Sequence, residues 1–255
     1  MTDHHHNLSH QPFIHILGYN SKDGPSPCIA FLGGGGKSSL ISQMGEEFSR
    51  IYSKVALTSL TKSGIDHRET VCFPDKFAGC DLSVHFTLAN PLKILRQSNL
   101  PDKLNGVSVD ELNDIWRQSD VCLFECDGAR KLPLKVHLDH DPEVPNFATH
   151  VVIIVGADVV GTTPAEGLVH RADRFCNTWE ISPNSVLIPD FIATVISSQK
   201  GYSQKIPKGI KRVYYVNKAD AHPKNAEELA TIIWEKTKCP TYFGSVQQKF
   251  WKAIS

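Results

Sequence analysis

Three groups of residues in this chain have types and spacings that could do chemistry. The first is the run Phe31-Leu32-Gly33-Gly34-Gly35-Gly36-Lys37-Ser38-Ser39-Leu40. Glycines let backbone N–H groups turn inward and approach phosphate oxygens, and a helix starting here adds the positive end of its dipole. Lys37 is placed to reach the β- and γ-phosphates of a nucleotide, and Ser38 to offer its hydroxyl to Mg2+. Gly33, Gly34, Gly35, Gly36, Lys37, Ser38 and Ser39 are therefore the candidate phosphate-binding residues. The loop is short, because the usual pattern has a glycine five residues before the Gly-Lys pair and Phe31 stands there.

The second group ends the apolar run Val121-Cys122-Leu123-Phe124 with Glu125-Cys126-Asp127-Gly128. Side chains alternate along a strand, so Glu125 and Asp127 point the same way. A phosphate-loop protein needs an acid here, holding Mg2+ directly or through water. Asp127 is the expected metal ligand with Ser38, and Glu125 is expected to position water or metal. The basic stretch that follows, Ala129-Arg130-Lys131-Leu132-Pro133-Leu134-Lys135, is placed to meet an anion, and Arg130 is its candidate catalytic residue. Beyond it, His137 and His140 with Asp139 or Asp141 form either a candidate zinc set or an ordinary polar loop.

The third group is Asn217-Lys218-Ala219-Asp220, directly after the apolar run Val213-Tyr214-Tyr215-Val216. In nucleotide-binding folds this tetrad reads guanine. Asp220 would accept from guanine N1–H and the 2-amino group, Asn217 would brace the loop, and the Lys218 stem would lie along the base. Ser245, after Gly244, offers a backbone N–H to the base carbonyl.

The elements that must position these groups follow from periodicity. Cys28-Ile29-Ala30 reads as the end of a buried strand, and Leu40, Ile41, Met44, Phe48 and Ile51 as one helix face. Phe13–Leu17 reads as an edge strand and Lys54–Thr58 as a second core strand. After that strand, Thr58 to Lys62 either faces a terminal phosphate or is a polar loop. Residues 63–118 read as an insertion carrying helices, one after Asn90-Pro91 through Leu92, Ile94 and Leu95. Another runs over Val109–Arg117, with Ser108 as cap and Glu111 three residues on. His150–Gly156 is a buried strand, Ala165–Phe175 a helix with His170-Arg171 in it, Asn225–Lys236 an amphipathic helix, and Pro240–Phe243 a last strand. The expected architecture is one α/β domain over 13–255, P-loop NTPase-like, a mostly parallel sheet with helices on both faces, behind a flexible tail over 1–12.

Composition narrows the function. Formal net charge is zero in 255 residues, which argues against a general nucleic-acid or anionic-membrane partner. No run approaches the 18 or so apolar residues of a membrane span, and the polar, His-rich start lacks a signal-peptide core. Seven scattered cysteines without a Cys-x-x-Cys pair fit reduced thiols in a cytoplasm.

With these residues laid out, the chain resembles the YqeC-type accessory proteins of selenium-dependent molybdenum hydroxylases over about residues 28 to 245. The resemblance rests on Gly33 to Ser39, on Glu125 to Arg130 with Pro133-Leu134-Lys135 and His137, on Val155-Gly156-Ala157-Asp158 through His170-Arg171, and on Asn217 to Asp220. It implies a P-loop protein that assists maturation or cofactor loading of a client hydroxylase. The chain departs from that pattern at Ser38-Ser39, where the family tends to show Thr-Thr, and at Leu60, which interrupts a Thr-rich stretch. The expected function is Mg2+-dependent binding of GTP (or ATP) with slow hydrolysis, since no arginine finger is placed by sequence. Two other readings use the same loop. One is a small-molecule kinase with Arg130, Lys135 and His137 on the acceptor; the other is a nucleotide-sensing module that does not hydrolyse.

Overall fold

The computed structural model describes residues 11–19, 26–64, 70–73, 80–100, 103–139, 141 and 144–254. The polar tail, apart from Gln11 and Pro12, and His140 of the candidate zinc set lie outside the described residues.

Nine strands form the main sheet: β1 (Cys28–Gly33), β2 (Val55–Ser59), β3 (Thr70–Phe73), β4 (Leu92–Arg96), β5 (Val121–Glu125), β6 (His150–Gly156), β7 (Lys211–Asn217), β8 (Thr241–Ser245) and β9 (Phe250–Ile254). Their order is β9-β8-β7-β6-β1-β5-β2-β4-β3. Eight run parallel, and β9 closes one edge antiparallel to β8. The α-helices among the described residues are α1 (Lys37–Phe48), α2 (Ser83–Leu88), α3 (Val109–Arg117), α4 (Ala172–Trp179), α5 (Pro189–Ser197) and α6 (Pro223–Thr237).

Strand alternation divides the apolar residues into two cores, one on each face. Ile29, Phe31, Leu123, Val152, Ile154 and Tyr215 pack with Leu40, Ile41, Met44 and Phe48 of α1. Cys28, Ala30, Leu32, Phe124, Ile153 and Val216 pack on the other side with Leu112 and Ile115 of α3, Ile192 of α5 and Leu229 of α6. Helices therefore cover both faces, as the continuous apolar runs of β1, β5 and β6 require. The order reverses at β1, with β5 on one side and β6 on the other, so the loop after β1 sits at the sheet's switch point.

Several local expectations change. Phe13–Leu17 is a 3-10 helix rather than an edge strand; Phe13, Ile16 and Leu17 turn onto the α1 side of the core, and Gly18 ends it in a left-handed conformation. Leu92–Arg96 is strand β4, not a helix, because parallel pairing with β2 and β3 takes up its backbone groups. The stretch expected as one helix over Ala165–Phe175 is broken by left-handed Gly167 into a 3-10 turn (Pro164–Glu166), a short strand (Val169–His170) and the start of α4. Residues 63–118 do carry α2 and α3, and they also supply β3 and β4 of the main sheet. The α3 start is as expected: Ser108 Oγ accepts from the Glu111 N–H at 3.2 Å, and Glu111 accepts from the Ser108 N–H at 2.6 Å. Two small ribbons complete the frame. Ser63–Gly64 pairs antiparallel with Lys103–Leu104, and Leu134–Lys135 pairs parallel with Val169–His170.

Candidate functional site

Strand β1 delivers the glycine loop and α1 receives it. Three N–H groups at its start are already used by the protein. Gly33 donates to both Asp127 oxygens at 3.0 and 3.2 Å, Gly34 to Ile154 O at 2.9 Å and Gly35 to Leu132 O at 3.0 Å. The N–H groups of Gly36, Lys37, Ser38 and Ser39 have no backbone partner among the described residues. They form the orphan amide end of α1, which suits an anion. The loop tolerates no side chain here. A Cβ on Gly35, at φ +83°, would lie 2.3 Å from the Gly156 nitrogen, and one on Gly36, at φ +126°, 2.4 Å from Asn217 Nδ2.

Behind the loop lies a buried charge cluster centred on Asp127, which is fully enclosed. Lys37 Nζ lies 3.2 Å from Asp127 Oδ1, Lys135 Nζ 3.1 Å from Oδ2 and His137 Nε2 2.7 Å from Oδ2. Lys37 also donates to the Gly33 carbonyl and lies 3.6 Å from Glu125. Lys135, equally enclosed, reaches on to Asp141 at 3.3 Å. Burial works to raise the Asp127 carboxyl, but Lys37, His137 and Lys135 together hold it well below the usual carboxylate range. Burial lowers His137 despite its carboxylate partner, whose Oδ2 faces Nε2. Its Nδ1 is buried without a partner among the described residues, and the ring stands edge-on to Tyr202 at 4.5 Å.

Glu125 behaves differently. Burial raises its carboxyl, Lys37 only partly offsets this, and Asp127 adds to the rise. Its Oε2 accepts from Ser38 Oγ at 3.4 Å. The structure therefore brings Ser38 together with Glu125, while Asp127, the acid expected to join Ser38 at a metal, is spent on Gly33 and on the buried cations. His137 and Asp141, two members of the candidate zinc set, also face inward, and no group of three candidate metal ligands occurs among the described residues.

The Asn217 tetrad meets the loop from the β7 side. Asn217 Nδ2 donates to Gly35 O at 2.7 Å and its Oδ1 accepts from the Val246 N–H at 3.1 Å, so it does brace the loop. Lys218, in a left-handed conformation, pairs with Asp158 at 2.5 Å. Asp220 is exposed and has no ion-pair partner among the described residues. Ser245 is buried, and its hydroxyl accepts from the Gln248 N–H. Of the hydroxyl-rich stretch, Thr58 is tied to Ile94 O at 2.7 Å, whereas Thr61 and Lys62 line the cleft.

That cleft opens over Gly34 to Ser39 and has a volume of about 1030 Å³. Glu125, Arg130, Lys131, His170 and Arg171 form part of its walls. Sequence reasoning placed Arg130 there, but it gave Lys135 to an anion and His137 to a candidate zinc set, and the fold buries both. It missed the structural parts of Asp141 and Asp158. Arg171 donates twice to Asp141, at 2.6 and 3.1 Å, and Asp141 also caps the Leu138 N–H. The available signal was the spacing of Lys135 and His137, two residues apart and thus on one side of an extended segment.

No described helix is long and apolar enough to cross a membrane. A protein of Escherichia coli strain K12, named only as an uncharacterized protein YqeC, is 25% identical over 195 residues, covering 74% of this chain and 75% of the relative. The family model described as YqeC protein matches residues 29–173, a span that takes in the loop, the Asp127 cluster and the His170-Arg171 pair. That match covers more than half of the chain, and the chain belongs to the YqeC family.

Proposed function

We propose that this protein binds a nucleoside triphosphate with Mg2+, GTP in preference to ATP, hydrolyses it slowly, and couples that cycle to maturation or cofactor loading of a selenium-dependent molybdenum hydroxylase. The observation that carries the nucleotide reading is the set of N–H groups from Gly36 to Ser39, without backbone partners among the described residues, at the mouth of the cleft with Lys37 behind them. The client rests on the resemblance of the glycine loop and of the Glu125 to His137 block.

Each residue then has a role. The amides of Gly36 to Ser39 hold phosphate oxygens, and Lys37 extends to the terminal phosphates. Ser38 and Glu125 are the oxygen donors that fit Mg2+, being adjacent and at the cleft edge. When bound, Mg2+ neutralises charge on the phosphates and helps orient them. Asp127 serves as the internal anchor of the loop and of Lys37. The metal part first expected of Asp127 thus falls to Glu125, which was expected to position water or metal. Asp220 would choose the base.

Calorimetric titration with GTP and with ATP, each with and without Mg2+, tests this on wild type and Asp220→Ala. The expected result is Mg2+-dependent GTP binding whose preference over ATP disappears in the variant. Equal binding of ATP and GTP by wild type would remove the guanine assignment. Binding of neither would remove the nucleotide reading.

A further inference from the structure

We propose that the cleft holds a second anion site outside the glycine loop, formed by Arg130, Lys131, His170 and Arg171, which takes a small multivalent anion beside the nucleotide. This deepens the nucleotide reading, and rests on it for the ligand's place as a second substrate or cargo.

The first argument is charge. Seven cationic side chains line the cleft, and three of them have carboxylate partners: Lys37, Arg171 and Lys218. Lys62, Lys103, Arg130 and Lys131 have none among the described residues, and all four are exposed. A phosphate loop already has its lysine and its helix amides. Four further uncompensated cations around one concavity raise the local concentration of anions beyond what a single nucleotide needs.

The second argument is backbone conformation. Seven non-glycine residues have positive φ among the described residues, and four of them are basic residues lining this cleft: Arg130, Lys131, Arg171 and Lys218. A left-handed conformation costs a non-glycine residue roughly 1 kcal/mol or more. Arg130 and Lys131 adopt it consecutively, at φ 48° and 64°, in a turn closed by the Leu132 N–H donating to Ala129 O. The same Leu132 accepts from Gly35, so the backbone of the turn that carries both cations is tied to the loop.

The third argument is preorganisation. The Arg171 guanidinium is clamped twice by Asp141, which the buried Lys135 holds in turn. The ribbon that pairs Lys135 with His170 fixes His170 beside it. A guanidinium held this way binds at little ordering cost, with the His170 imidazole as a fixed polar neighbour. The Lys135 and Asp141 pair thus supports the site without touching its ligand.

A phosphate ester and a polycarboxylate share this chemistry, and inorganic phosphate and tricarballylate serve as probes. The protein is first titrated with Mg2+ and a non-hydrolysable GTP analogue. Each probe is then titrated into loaded and unloaded protein, for wild type and Arg130→Gln/Lys131→Gln, at about 0.15 M salt so that diffuse attraction is screened. Binding of one probe to loaded wild type, weakened at least about tenfold in the double variant, is expected. The probe that binds better names the anion class. Should the analogue fail to bind, the nucleotide reading falls, and probe binding to unloaded protein that is lost in the variant still upholds the anion site. Probe binding equal in wild type and variant, or no binding at millimolar concentration, overturns it.

Discussion

Asp127→Asn separates a structural anchor from a metal ligand. The substitution keeps shape and one acceptor for the Gly33 N–H, and removes the charge that faces Lys37, Lys135 and His137. Lys135 is fully buried and keeps only Asp141, at 3.3 Å, and the Gly128 carbonyl. Removing one partner of a buried ion pair costs about 3–5 kcal/mol. In a domain of this size each kcal/mol moves Tm by about 2–4 °C, so a fall of roughly 6–20 °C is expected at neutral pH. The pH dependence has a definite sign. Asp127 is held below its unfolded value, so its stabilisation is complete above about pH 4 and is lost as pH falls further. The gap between wild type and variant should therefore shrink at pH 3. Differential scanning calorimetry at both pH values, with nucleotide titrations at varied Mg2+, measures each part. A Tm within about 2 °C of wild type, together with loss of the Mg2+ dependence of binding, would refute the reasoning and return Asp127 to the metal.

Glu125→Gln should do the reverse: burial already disfavours its charge, so Tm should hold or rise slightly, while the Mg2+ dependence of nucleotide affinity falls at least about tenfold. Asn217→Ala removes one bond to the loop, at Gly35 O, and strands the buried Val246 N–H, and a loss of about 2–3 kcal/mol in denaturant unfolding is expected, with weaker nucleotide binding. Burial lowers His150 to about 4, below its unfolded value near 6.5, so stability should fall as pH drops from about 6.5 to 4, and His150→Phe should flatten that slope in melts across this range.

Much of the frame was legible because its signals are local. β1, β5 and β6 are unbroken apolar runs, as strands covered on both faces must be, and the glycines, Lys37 and the α1 face follow in register. The Ser108-Glu111 box announced α3. What failed depends on distant partners. The four apolar residues between Phe13 and Leu17 suit either strand or turn until Tyr215 packs edge-on against Phe13. Leu92 to Arg96 becomes a strand only through β2 and β3. Strand β9 gave no signal because an antiparallel edge, exposed at Lys252 and Ala253, has neither strict alternation nor a continuous apolar run. At the site, the period-two spacing of Glu125 and Asp127 correctly put both acids near Lys37, but it carries no information on solvent access. Access decides their roles, and it is set by Lys135 and His137 arriving from a later segment.

The surplus of cations around Asp127 has an energetic logic if Lys37 must reach a phosphate. A lysine that leaves a buried carboxylate normally strands that charge, at a cost of several kcal/mol, and a loop anchored on such a pair would resist its ligand. Here Asp127 keeps Lys135 at 3.1 Å, the His137 imidazole at 2.7 Å and the Gly33 N–H when Lys37 departs. The loop therefore stays anchored through Gly33 while its lysine is released. Lys135→Met should expose this division. With Lys135 gone, Lys37 becomes the sole ammonium on Asp127, so phosphate binding would have to break that pair outright. Nucleotide affinity should fall even though Lys135 is buried away from the cleft, and Asp127→Asn in the same chain should restore part of it. Affinity unchanged in Lys135→Met, with the fold intact by melting, would mean that Lys37 never leaves Asp127.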